Sequence, residues 1–279
     1  MSNPVIRMRH TPNIQLDFDN HIFNLLEQIL NLAGYNPITF VSDLAKHLDI
    51  SQKDLFNKPN KLQKQKLHKL YVLLITKQYP IEYILKYTYF YGAKLIVEPP
   101  LYIPNPFTEN LVTKILNWQN TQPPTPYSIL DIGTGTGAII IALAKNLSNQ
   151  NQFIGTDINP LAVRIAKKNA KLNNARVKII RANVTKILPK NHFILPKHRN
   201  VIVVTNKPYL PQASYKTLPK SVRYQDKKAL LTSKNFNKNL KQYIQFLLKH
   251  NYNINLFMET LRTRNPLSAK IVHYSFTNS

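Results

Sequence analysis

The rhythm of apolar and polar positions changes twice along the chain. Over the first ~88 residues, apolar side chains recur three and four apart, the spacing of helices that bury one face. In DNHIFNLLEQILNLAG, Ile22, Leu25, Leu26, Ile29 and Leu30 share a face, with Asp19 as N-cap and Gly34 as the stop. Ser42 and Ser51 read as further N-caps, and Ser51 with Asp54 has capping-box spacing. KLQKQKLHKLYVLLITKQ predicts a longer amphipathic helix, and Pro80 opens a short one, IEYILKY. Short helices joined by polar turns predict a small bundle.

At Tyr89 the rhythm shortens. YFYGAKLIV is aromatic and β-branched around Gly92, which predicts a hairpin. A proline-rich bridge, EPPLYIPNP, leads to a helix at TENLVTKILNWQ, and TQPPTP follows. From Tyr127 strand and helix patterns alternate: YSILDIG, AIIIALAKNL, QFIGTDI, PLAVRIAKKNAKLNN, VKIIRAN, NVIVVTN, KNLKQYIQFLLKH and NINLFMET. Alternation of this kind predicts an α/β fold with a largely parallel sheet covered on both faces. The expected organisation is a helical domain over 1–88, a hairpin and linker over 89–107, and an α/β domain over 108–279.

Composition narrows the chemistry. The 279 residues are 43% apolar, enough for a sizeable core. With no cysteine there is no disulfide, thiol nucleophile or cysteine-ligated metal, and the histidines lack ligand spacing. The first twenty residues lack a secretory apolar core, and no apolar run reaches the ~18–20 residues that span a bilayer. A soluble, cytoplasmic protein without a membrane partner is expected, and nothing demands more than a monomer. The net charge of +25 fits weak attraction to RNA or the ribosome, but equally a lysine-rich surface, because the lysines are dispersed.

The strongest local signal is LDIGTGTGAIIIALA. A strand ends at Asp131, Gly133-Thr134-Gly135-Thr136-Gly137 follows, and a helix begins at once. Glycines let the backbone turn tightly and approach a ligand, while the helix N-terminus offers unpaired N–H groups. The spacing is neither that of dinucleotide enzymes nor of a P-loop. Asp157, at the end of the next strand, is placed to accept ribose hydroxyls; alone it would be a helix cap. Asn159 and Pro160 read as N-cap and first helical residue.

Why does VIVVT end in Asn206-Lys207-Pro208-Tyr209? A strand needs only a turn there, and Asn-x-Pro is a common one. Beside a glycine loop another reading opens. If S-adenosylmethionine is bound, its methyl group lies near this strand end. An acceptor nitrogen with a conjugated lone pair, an amide or aromatic amine, is a poor nucleophile. Its hydrogens must be held so that the lone pair faces the methyl. The Asn206 side-chain oxygen and the Lys207 carbonyl supply two acceptors, Pro208 stiffens the turn and Tyr209 offers a stacking face.

Asn206–Tyr209 resembles the Asn-Pro-Pro-Tyr motif of amino-methyltransferases, with lysine replacing the first proline. The order of PIEYIL, Phe90 in YFYG, YIPNPFTENLV, the glycine loop and this motif, over about residues 39–260, resembles the peptide chain release factor glutamine N5-methyltransferases. The resemblance implies a Rossmann-like methyltransferase domain with a small helical N-terminal domain that docks the release factor. It implies methyl transfer from S-adenosyl-L-methionine to the glutamine amide of a Gly-Gly-Gln loop. By position, Asp131, Gly133, Thr134, Gly135, Thr136, Gly137, Asp157, Asn183, Val184 and Asn206 would hold the cofactor. Asn206, Pro208 and Tyr209 would be catalytic, and Lys207 and Phe90 would join Asn206, Pro208 and Tyr209 around the substrate.

The chain departs from the family pattern at several points. The linker Arg and Glu are Asn105 and Phe107, which predicts a lost polar contact. Asn183 and Val184 stand where an acid and an aromatic are usual, and a Glu-Pro pair reads Gln225-Asp226. After LFMET, KIVHYSF predicts a single closing strand. Two alternatives stay open: an adenine-N6 nucleic-acid methyltransferase using the same motif, and a non-catalytic protein that keeps the fold.

Overall fold

The computed structural model describes residues 37–53, 60–183, 198–262 and 265–277. The expected Asp19–Gly34 helix, Asp54 and Val184 lie outside the described residues. Contacts divide the chain into two units, Met1–Thr76 and Lys77–Ser279.

In the first unit, helix α1 spans Pro37–Leu48. Ser42 is therefore inside a helix and not its N-cap; proline in the first turn starts the helix five residues earlier than the serine suggested. Helix α2, Lys61–Tyr71, continues as a wider π-turn over Val72–Thr76. Its N-terminus carries the reciprocal cap. Asn60 N–H donates to Gln63 Oε1 (2.8 Å), and Gln63 N–H donates to Asn60 Oδ1 (3.0 Å).

The second unit opens with α3, Ile81–Leu85, which ends where Lys86 turns left-handed (φ 65°). Strands β1, Tyr87–Phe90, and β2, Ala93–Ile96, form the expected hairpin. Its two turn residues, Tyr91 and Gly92, both have positive φ, as a tight hairpin turn requires. Helix α4 is Glu109–Asn120, and Glu109 Oε1 accepts the Tyr91 N–H at 2.7 Å, tying the turn to the helix start.

Then come β3 (Tyr127–Ile132), α5 (Ala138–Asn146), β4 (Gln152–Asp157), α6 (Pro160–Leu172), β5 (Lys178–Arg181) and β6 (Asn200–Thr205). Two short helices, α7 (Lys220–Arg223) and α8 (Lys227–Leu230), precede α9 (Lys234–Lys249), β7 (Asn253–Arg262) and β8 (Asn265–Phe276). The sheet order is β5-β4-β3-β6-β7-β8, parallel except for β8. The closing strand starts five residues before KIVHYSF, because its ladder with β7 runs back to Asn265. As the outermost strand it tolerates Pro266 near its start.

Alternate residues of each strand enter different cores. Ile129, Ile202, Val204 and Phe257 pack with α4, α5 and α6, while Leu130, Val201, Val203, Ile254 and Leu256 pack with α9. This is why the strands read as continuous apolar runs.

One buried polar side chain joins three elements. Asn169 on α6 is fully buried; its Oδ1 accepts the Ile96 N–H (2.7 Å), and its Nδ2 donates to Ile96 O (3.0 Å) and Thr136 O (2.9 Å). It thus fastens the hairpin to the glycine loop. Asn169→Ala orphans these groups and should lower stability by roughly 2–4 kcal/mol. Urea denaturation checks this; a loss under about 0.5 kcal/mol, within the range of surface substitutions, would remove the clamp role.

Candidate active site

The sheet reverses direction at β3: β4 and β5 lie on one side, β6 and β7 on the other. Ligands of such sheets bind at the carboxyl edge beside this reversal. Two loops meet that edge, residues 133–137 after β3 and 206–210 after β6.

The glycine loop is held from the neighbouring strand. Gly133 and Thr134 N–H both donate to Thr156 O (2.9 Å each), and Gly137 N–H donates to Thr134 O (2.8 Å). Gly133, Gly135 and Gly137 have φ of 76°, 56° and 86°, where a side chain is strained. Their surroundings differ. A Cβ on Gly137 would meet Ile141 Cδ1 at 2.9 Å, so that glycine serves helix packing. A Cβ on Gly133 or Gly135 would meet nothing within 4 Å, so the backbone there faces open space that a ligand can enter.

Two carboxylates frame the loop. Asp131 is fully buried, and its Oδ2 accepts the Thr134 hydroxyl at 2.6 Å. Its Oδ1 lacks a partner at hydrogen-bonding distance, although the Ile140 N–H still favours the charged form. Burial, opposed by the Thr134 bond and reinforced by the Asp157 charge, pushes its pKa up to about 7. Asp157 is half-buried; Oδ2 accepts the Gly135 N–H (2.9 Å) and Oδ1 the Asn159 N–H (2.8 Å). Burial raises its pKa, and these amides oppose the rise. Asp157 therefore shapes the loop, and each oxygen keeps a lone pair for a ligand. Next to it Ile158 is 57% exposed, an apolar surface at the site that periodicity did not single out.

Across the reversal, Asn206 Nδ2 donates to the Thr108 hydroxyl at 2.9 Å. Thr108 donates to Glu259 Oε2 at 2.8 Å, and Glu259 Oε1 accepts the Tyr209 hydroxyl at 2.7 Å. Strand register explains the meeting. Thr205 pairs with Met258, so one further step sets Asn206 beside Glu259, on the face shared by Val204 and Phe257. Burial raises the pKa of Tyr209, as does the adjoining Glu259. Lys207 is buried with its ammonium turned away to Asn237 Oδ1 on α9, and burial lowers its pKa.

The chain leaves the site at Leu210 and returns at Leu231, where the two pair. The excursion between them is tied to the linker: Asp226 N–H donates to Pro100 O (2.6 Å), and Ile103 N–H to Gln225 Oε1 (2.9 Å). Gln225 and Asp226 thus make polar links of their own. Asn105 does so too, capping a 3-10 turn by accepting the Phe107 N–H at 2.9 Å.

The structure brings Asp131, Gly133–Gly137, Asp157 and Asn206–Tyr209 to one edge of the sheet. Asn183 is exposed, two residues past β5. Phe90 is 1% exposed in the apolar core with Ala93 and Leu111, which gives it a packing role. Thr108 and Glu259 were not singled out as site residues. Glutamate in an otherwise apolar strand was the available signal.

The raised pKa of Asp131 has a pH consequence. The unfolded chain releases this proton near pH 4, and the folded chain retains it to about pH 7. Its contribution is complete below pH 4 and is lost as pH rises to 7. Asp131→Asn should flatten this fall in stability, measured as the urea midpoint across that range. An unchanged slope would show that Asp131 is already ionised at pH 4.

The methyltransferase domain model matches residues 126–264. The release factor glutamine methyltransferase of Geobacter sulfurreducens is 34% identical over 155 residues, 56% of this chain and 50% of the relative. That of Flavobacterium psychrophilum is 36% identical over 167 residues, 59% of this chain and 56% of the relative. That of Buchnera aphidicola is 38% identical over 157 residues, covering 56% and 52%. The chain thus spans about half the length of these curated relatives. Among solved structures, the hMettl16 catalytic domain in complex with an RNA hairpin aligns with TM-score 0.44 and 17% identity, covering 74% of this chain and 68% of that one. A Pyrococcus abyssi tRNA methyltransferase aligns with TM-score 0.34 and 20% identity, covering 62% and 34%. Residues 126–264 are thus similar to the methyltransferase domain family, and the chain is similar over 56–59% of its length to release factor glutamine methyltransferases.

Proposed function

We propose that this protein methylates the side-chain amide nitrogen of the Gly-Gly-Gln glutamine in a peptide chain release factor, using S-adenosylmethionine. The observation that carries the reading is the orientation of Asn206. Its Nδ2 is engaged by Thr108, which leaves Oδ1 as the free acceptor at the carboxyl edge beside the glycine loop. The relatives' names supply the release factor.

The open faces of Gly133 and Gly135 fit a ligand lying against backbone, and the Asp157 oxygens suit its ribose hydroxyls. Ile158 offers an apolar contact for a purine. Bound S-adenosylmethionine supplies an electrophilic methyl group; as nitrogen bonds to it, the sulfonium becomes a thioether and the amide loses one proton to solvent.

The protein's part is orientation. Asn206 Oδ1 and the Lys207 carbonyl accept the two amide hydrogens, which turns the nitrogen lone pair towards the methyl. The Tyr209 ring, fixed through its hydroxyl by Glu259, provides a face for the planar amide. The N-terminal unit, Met1–Thr76, docks the factor.

A second reading has one observation in its favour. The excursion after Leu210 carries exposed Lys216, Lys220, Arg223, Lys227 and Lys228, cations suited to phosphates of a nucleic-acid substrate.

Asn206→Ala should lower transfer to the release factor by about 10²–10³-fold, the usual cost of one preorganised polar group. Cofactor affinity should stay within a few-fold. Mass analysis of the glutamine peptide, with titration of S-adenosylhomocysteine, checks both. Transfer to an adenine-containing oligonucleotide but not to the factor would select the second reading.

A further inference from the structure

We infer that Glu259 is a positioning residue that sets, through Thr108, which way the Asn206 amide faces. The inference rests on the function proposed above and deepens it.

Donor and acceptor chemistry forces the direction. A carboxylate can only accept, so Thr108, 2.8 Å from Glu259 Oε2, must spend its single hydroxyl proton there. Thr108 Oγ1 can then only accept from Asn206, 2.9 Å away, which must present its NH2 group. With Nδ2 committed, Oδ1 faces the opposite way and is the atom offered to the substrate. A neutral amide at 259 could donate to Thr108. The hydroxyl proton would be released to point at Asn206, and the Asn206 amide could flip. Its NH2 would then oppose the N–H hydrogens of the substrate amide.

Two further observations support this assignment. Thr108 occupies the N-cap of α4, where threonine ordinarily bonds the backbone of the first turn, yet its side chain makes no capping bond. Its hydroxyl bridges Asn206 and Glu259 instead. Glu259 is fully buried, and among the described residues no cation pairs with it. Such a group is costly in a core unless its hydrogen bonds compensate. Its second oxygen accepts the Tyr209 hydroxyl, so one carboxylate aligns both ends of the 206–209 loop.

The test compares Glu259→Gln, Thr108→Val and Thr108→Ser with wild type. The first two nearly preserve shape while removing the relay. Both should lower kcat for release factor methylation by about 10–100-fold, the range seen when supporting hydrogen-bond partners are lost. KM and S-adenosylhomocysteine affinity should stay within about twofold, and Thr108→Ser should recover most of what Thr108→Val loses. Equal kcat for Glu259→Gln and wild type, or a loss confined to KM, would overturn the assignment.

A second readout needs no turnover. The Asn206 side-chain amide resonances, identified by their loss in Asn206→Asp, should move in Glu259→Gln and Thr108→Val but stay near wild type in Thr108→Ser. If they are unmoved in Glu259→Gln, the relay is refuted. If wild type methylates no release factor, the functional reading fails, and the resonances alone decide the relay.

Discussion

A parallel sheet whose strand order reverses at its central strand leaves a gap at its carboxyl edge. The connections after β3 and β6 leave in opposite directions, so neither set of helices covers the strand ends between them. The chemistry proposed for this protein depends on that gap. The glycine loop turns beneath it, Asp157 borders one side and Asn206 enters from the other. The same constraint explains why the residues involved are distant in sequence. Thr108, Asp131, Asp157, Asn206 and Glu259 all sit at or near the ends of elements that the sheet brings to one edge.

Holding polar groups there requires a balance of burial and hydrogen bonding. Asp131 and Glu259 are fully buried carboxylates, and burial raises the pKa of each. They differ in satisfaction. Glu259 has a hydroxyl donor on each oxygen, whereas Asp131 has one on Oδ2 and none at bonding distance on Oδ1. A fully bonded carboxylate makes a rigid directional anchor. An incompletely bonded one near a second acid retains a proton more readily, and that is the environment of Asp131. The two acids therefore have different physical roles although both lie near strand ends.

Much of this was legible in sequence because backbone periodicity and glycine chemistry are local. The alternating strands and helices, the hairpin around Gly92, the Asn159 cap and the turn after Thr205 all follow from neighbouring residues. Ser42 misled because a serine before a polar turn resembles a cap, while Pro37 upstream had already started the helix. Phe90 reads as an aromatic near a motif, but in the fold it packs into the apolar core with Ala93 and Leu111. Thr108 and Glu259 were hidden for a stronger reason. Their pairing follows from the β6–β7 register and the position of α4, and no local spacing encodes either.

Lys207 shows how the site absorbs a substitution. Lysine frees a backbone N–H and adds an ammonium next to an acceptor-rich loop. If that charge faced the gap, it would compete for Asn206 Oδ1 with the substrate amide proposed above. The side chain instead turns through the protein to Asn237 on α9. Burial disfavours its charge there, and the Asn237 oxygen accepts one of its hydrogens. The main chain at 207 is left to present its carbonyl, the only feature of this position that the proposed orientation of a substrate amide requires. Pro208 still restricts the backbone of the residue before it to extended geometry, so the carbonyl direction remains constrained whichever side chain residue 207 bears.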